Sequence, residues 1–124
     1  MMTDIQEWWV SEHKYVCRIA RDSKNPMDSL FEMYKRYDAL TISEKGRINE
    51  LLIQWIENAD VGSINSDELY TALACITEYK IVAAIPAMER LCVRLKDCKI
   101  PDDPQAYHER EKVLRKLEGL RRQC

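Results

Sequence analysis

The chain has 124 residues, 46% of them apolar and 32% charged, with a net charge of −2. That length and balance fit one folded domain with its own core and argue against a disordered chain. The longest uncharged run, Ile81–Met88, is far shorter than a membrane span, and the acidic start MMTDIQEWW lacks the basic region of a secretory signal, so a cytoplasmic protein is expected.

Six helices are predicted, with no useful stretch of strand-type alternation. The first runs from about Thr3 to Arg21 and places Ile5, Trp8, Trp9, Tyr15, Val16 and Ile19 on one wide apolar face. His13, between Glu12 and Lys14, reads as a solvated side chain. Asn25-Pro26 opens a second helix, about Pro26 to Leu40, with Met27, Leu30, Phe31, Tyr34 and Tyr37 turned inward. Thr41-x-x-Glu44 matches a capping box for the third helix, whose Ile48, Leu51, Leu52, Trp55 and Ile56 have the cleanest three-four spacing in the chain. It stops before Asp60-Val61-Gly62.

Ser66 can cap a fourth helix, with Asp67 and Glu68 suiting the positive end of the helix dipole and Leu69, Ala72, Leu73 and Ile76 facing inward. A fifth helix, about Ile81 to Lys96, uses Ile81, Ala84, Ile85, Met88, Leu91, Cys92 and Leu95. Pro86 would cost about 3 kcal/mol inside a helix, so this helix should start close before it or bend there. Asp103-Pro104 opens a sixth helix to about Arg122, with Tyr107, Leu114, Leu117 and Leu120 on one face. Short links and strong caps imply helices stacked as antiparallel hairpins in an all-α domain.

One stretch carries a resemblance. Leu69-Tyr-Thr-Ala-Leu-Ala-Cys-Ile, then Glu78-Tyr79-Lys80, then Ala84-Ile85-Pro86-Ala87-Met88 and Leu91 resembles a HEAT repeat, in which an A-L-x-x-I helix and a brief turn precede an A-[IV]-P-x-L helix. It departs from that pattern at the turn, where Tyr79-Lys80 replaces the usual glycine or aspartate. The resemblance covers about thirty residues. It implies an α-α superhelix with a partner-binding surface and no catalytic residue.

The residues themselves give little to catalysis. His13 and His108 are far apart, His108 sits in a charged run, and no phosphate loop, nucleophile elbow or HExxH motif occurs. The five cysteines, at 17, 75, 92, 98 and 124, contain no CxxC pair, so reduced thiols are expected. Cys92 and Cys98 could approach each other, but a structural zinc site needs four ligands and no second pair offers them. No enzyme, metal or cofactor is expected.

Charge patterning is more informative. From Asp38 to Glu78 there are eight acids and two bases, a net −6, whereas His108–Cys124 carries six bases and three acids, a net +3. The basic sixth helix could serve nucleic acid. However, Glu109, Glu111 and Glu118 dilute it, Glu111–Arg115 and Glu118–Arg122 have salt-bridge spacing, and the acidic middle repels phosphate. An acidic surface favours a basic protein partner. Glu50, Glu57, Asp60, Asp67, Glu68 and Glu78, with Tyr70 and Tyr79 among them, form the candidate docking set. A small, helical, mildly acidic chain of this kind resembles in type the immunity proteins of bacterial toxin–immunity systems. The expected role is an inhibitor that neutralises a basic toxin domain, such as a nuclease, with a HEAT-like scaffold as the alternative.

Overall fold

A computed structural model describes residues 2–21, 27–59, 67–97 and 104–122, and the side chains of 2–20, 29–59, 67–95 and 111–122. The protein is all-α: six helices, α1 (Asp4–Arg21), α2 (Met27–Asp38), α3 (Ile42–Glu57), α4 (Asp67–Glu78), α5 (Ile85–Asp97) and α6 (Pro104–Arg121), with no strand among the described residues. The chain divides into two compact units, Met1–Leu51 and Leu52–Cys124.

In the first unit α1 packs on α2. Thr3 and Gln6 form a reciprocal capping box, Thr3 N donating to Gln6 Oε1 (3.0 Å) and Gln6 N to Thr3 Oγ1 (3.4 Å). The Gln6 amide also donates to the Arg47 carbonyl (2.8 Å), which fastens the start of α1 to α3. The predicted box at Thr41 is present: Thr41 N donates to Glu44 Oε1 (2.9 Å) and Glu44 N to Thr41 Oγ1 (3.2 Å). The core holds Trp9, Val16, Leu30, Met33, Tyr37, Ile48 and Leu51. Trp9 meets Tyr37 edge-on at 6.4 Å, and the Tyr37 hydroxyl donates to Asn49 Oδ1 (2.8 Å). The Trp9 indole N–H is buried with no acceptor among the described residues.

Several inward assignments fail here. Trp8, Tyr15, Ile19 and Phe31 are exposed, whereas His13 and Met33 are buried. The apolar stripe read from sequence was too wide. Trp9, His13 and Val16 follow one another at three- and four-residue steps and define the packed line, and Leu30, Met33 and Tyr37 do the same on α2. His13 was misread from Glu12 and Lys14, but sequence neighbours on a helix point about 100° away from each other. Met27 and Asn25-Pro26 lie outside the described side chains.

In the second unit α6 packs against both α4 and α5. Leu69, Ala72, Leu73 and Ile76 are buried as expected, joined by Thr71 and Cys75. Leu52, Ile56, Ala84, Ala87, Met88, Leu91 and Leu95 are buried too, with Val113, Leu117 and Leu120 from α6. Trp55 is half-buried, a shallower position than its spacing predicted. A 3-10 turn, Val82–Ala84, precedes α5, and Pro86 falls at the second position of that helix, where its missing N–H has no intrahelical partner to lose.

The α4–α5 turn explains how Lys80 replaces the usual glycine. Lys80 adopts φ 54°, in the left-handed region. The Ile81 N–H donates to the Ile76 carbonyl (3.0 Å), the six-to-one bond of a Schellman motif, and Ile76 and Ile81 are both buried. The apolar pairing and the hydrogen bond hold a conformation that a Cβ disfavours by about 1–2 kcal/mol.

Candidate protein-docking surface

The candidate residues divide among several settings. Four lie on α4. Asp67, Glu68, Tyr70 and Glu78 are all exposed, Tyr70 at 53%. Asp67, Tyr70, Ala74 and Glu78 succeed one another at three- and four-residue steps, with Thr77 next to Glu78, so they form a line about 16 Å long. Glu68, in the first turn, points about 100° away from Asp67 and about 160° away from Tyr70. This placement follows from burial: Leu69, Ala72, Leu73 and Ile76 commit the opposite face to the core. The result is an aromatic ring on an acidic helix face. Thr77 adds no free donor, because its hydroxyl donates to the Leu73 carbonyl (2.8 Å).

Glu57 is differently employed. Arg90 Nη2 lies 2.7 Å from its Oε1, and Arg90 Nε donates to both carboxylate oxygens at 2.8 and 3.1 Å. The Arg90 hydrogen bonds hold the Glu57 carboxyl below its ordinary range, and the same contact holds Arg90 above its own. Arg94 completes the arrangement by donating to the carbonyls of Ile56 (2.6 Å), Glu57 (2.9 Å) and Ala59 (3.0 Å). These carbonyls belong to the end of α3, which has no cation of its own in its last turn. Arg94 therefore supplies both the missing donors and the positive charge that a helix C-terminus favours. Glu57 thus serves to seat α5 on α3 and offers a partner little free charge.

Glu50 lies in the first unit, exposed, with Arg47 at 3.6 Å. Tyr79 is half-buried in the Schellman turn and engaged in a further interaction. Asp60 lies outside the described residues, as do Ser66, Cys98 and Cys124 and the side chains of Tyr107 and His108.

No protein-family model matches the chain, and no curated protein or solved structure matches it.

The other chemistry-bearing groups are quickly placed. Cys17, Cys75 and Cys92 are reduced thiols. Burial, reinforced by Glu78, pushes Cys75 up to about 12, and burial also raises Cys92. His13 Nε2 lies 3.4 Å from Cys17 Sγ across one helical turn, a proximity the sequence reading did not anticipate. No group of three metal-ligating side chains occurs among the described residues, and no described helix is long and apolar enough to cross a membrane. On α6 the expected Glu111–Arg115 and Glu118–Arg122 pairs do not form. Arg121 instead reaches Glu89 of α5 at 3.5 Å, because the side chain one position earlier is aimed at the packed neighbour. Burial lowers Lys116, with Lys112 adding repulsion, so part of the helix's positive charge is drawn into the fold.

The clamp of Arg90 and Arg94 was invisible to local sequence reading. Its one trace was negative: an α3 that ends in Glu57 without a nearby cation needs a distant one.

Proposed function

We propose that this chain is a protein-binding inhibitor, most concretely an immunity protein that binds and neutralises a cognate bacterial toxin. The observation that carries this reading is the exposed α4 line, with Tyr70 set between Asp67 and Glu78. Large aromatic side chains are favoured anchors of protein interfaces, and surrounding like charges steer a basic partner to them. Acidic side chains on a basic nuclease cleft would occupy the place of substrate phosphates. The HEAT-like character of Leu69–Leu91 belongs to the same proposal, since such hairpins serve binding more often than chemistry.

The test is capture of partners from the native host on the tagged chain, followed by binding of the captured protein to the variant D67K/E68K/E78K. A single stoichiometric basic partner is expected. Its affinity for the variant should fall by at least about a hundredfold at low salt, which corresponds to about 3 kcal/mol. Raising salt should weaken wild-type binding by slowing association. Unchanged affinity in the variant would remove α4 as the docking surface.

A further inference from the structure

The packed side of α1 places a nucleophile against a base. Trp9, His13 and Cys17 follow one another at four-residue steps, so each meets the next across one helical turn. Trp9 is fully buried and His13 is 4% exposed, and this packing fixes the imidazole within the first unit. Cys17 stands at the edge of the core, half-buried, and keeps part of its surface in solvent. Its Sγ lies 3.4 Å from His13 Nε2. In the tautomer that carries its hydrogen on Nδ1, the ring accepts the thiol proton at that nitrogen.

Sulfur attacks as the thiolate. A thiol in water must first lose its proton to solvent, whereas one in contact with an imidazole hands it over in place. Here the helix sets the spacing of the pair and the core holds the ring, so the contact exists before any reagent arrives. Lys14, exposed three residues before Cys17, adds a positive charge on a neighbouring position, which favours negative sulfur. The helix dipole opposes negative charge mainly in the final turn, and Cys17 precedes that turn. The other two described thiols are placed differently. Burial raises both, Cys75 to about 12, which leaves them poor nucleophiles at neutral pH.

We propose that Cys17 is an oxidation site for hydrogen peroxide, with His13 as the acceptor of its proton. A half-buried thiol beside a buried ring suits a small, uncharged oxidant. The Sγ–H proton passes to His13 Nε2, and the sulfur attacks one peroxide oxygen. An S–O bond forms as the O–O bond breaks. The second oxygen leaves as hydroxide and takes the proton from His13, forming water. Sulfur loses two electrons, the peroxide gains them, and Cys17 becomes a sulfenic acid, the reversible first step of cysteine oxidation. The pair belongs to the first unit, and the proposal stands or falls separately from docking on α4.

The test exposes the full chain to hydrogen peroxide at neutral pH for timed intervals. Catalase then stops the reaction, urea unfolds the chain, and dimedone traps sulfenic acid for peptide mass spectrometry. Oxidation of Cys17 in the native chain should be about tenfold or more faster than in chain unfolded beforehand, although unfolding exposes the thiol fully. Positioned proton transfer contributes ~10²–10⁴-fold, and partial burial subtracts from it. Cys75 and Cys92 should show the opposite order, which separates activation at Cys17 from a general effect of urea. His13→Gln keeps a polar side chain and His13→Phe keeps a ring, but neither takes a proton. Each should slow native Cys17 oxidation by about tenfold or more, with helical circular dichroism verifying the fold. The comparison of native with unfolded chain needs no variant, so it decides even where a substitution in the core unfolds the protein. Cys17 oxidation as fast in the unfolded chain as in the native one overturns the proposal. So does a wild-type rate in folded His13→Gln.

Discussion

Replacing Lys80 with glycine should make this protein more stable. Lys80 is the single non-glycine residue with positive φ among those described, at 54°. A left-handed residue with a Cβ loses about 1–2 kcal/mol, whereas glycine adopts that conformation freely and loses about 0.5–1 kcal/mol through its larger unfolded-state freedom. The two terms leave a gain of about 0.5–1 kcal/mol. Lys80 is exposed, so nothing packed is removed, and the Ile81 to Ile76 hydrogen bond uses backbone atoms that the substitution keeps. With a urea slope of about 2 kcal/mol per molar, the unfolding midpoint should rise by about 0.25–0.5 M. Lys80→Ala is the control. It retains the Cβ and should leave the midpoint near wild type, while the β-branched Lys80→Val should lower it. Equal stabilisation by alanine and glycine would mean that the lysine side chain, not the backbone, is the source. A lower midpoint for glycine would refute the strain argument outright.

Other expectations follow the same logic. Gly46→Ala and Gly119→Ala should each raise stability by about 0.5–1 kcal/mol in urea titrations, because both glycines lie inside helices and an added Cβ meets nothing within 4 Å. Arg94→Met should cost about 2 kcal/mol, since three carbonyls lose a charged donor, and Arg94→Lys should recover only part of that in the same titrations. The folded-state carboxyl of Glu57 titrates below its ordinary range, so its contribution is present above about pH 4.3 and is lost as pH falls through the depressed value. Arg90→Gln should therefore flatten the acid side of the stability profile. The Cys75 thiol titrates at about 12, so its effect runs the other way: stability is retained below about pH 8.5 and declines as the pH rises towards 12. In native protein at pH 8, a thiol-labelling time course followed by peptide mass spectrometry should find Cys75 unmodified while the less buried Cys17 reacts.

Much of the helical framework was legible because it rests on local rules. The Thr41–Glu44 box, the inward line of α4 and the start of α5 at Ile85-Pro86 depend on residues within one or two turns. The errors came where periodicity defines an apolar sector but only packing decides how much of it is covered. Trp8, Tyr15, Ile19 and Phe31 all fit a helical stripe, and nothing in their spacing reveals that burial is confined to Trp9, His13 and Val16 on α1 and to Leu30, Met33 and Tyr37 on α2. The candidate site divided for a similar reason. Sequence counts charges without their partners, so Glu57 and Glu68 looked alike until Arg90 was found on the former. That salt bridge spans 33 residues, beyond any local pattern.

The cap on α3 has a bearing on the order of assembly. Arg94 reaches carbonyls 35 to 38 positions earlier in the chain. While the chain is being synthesised, α3 emerges with its last turn uncapped and an acid at the unfavourable end of its dipole. That turn frays until α5 has been made and has docked, so the closure of a long loop completes what local sequence began. The middle of α3 can form early, but its boundary is written by a residue the ribosome has yet to add.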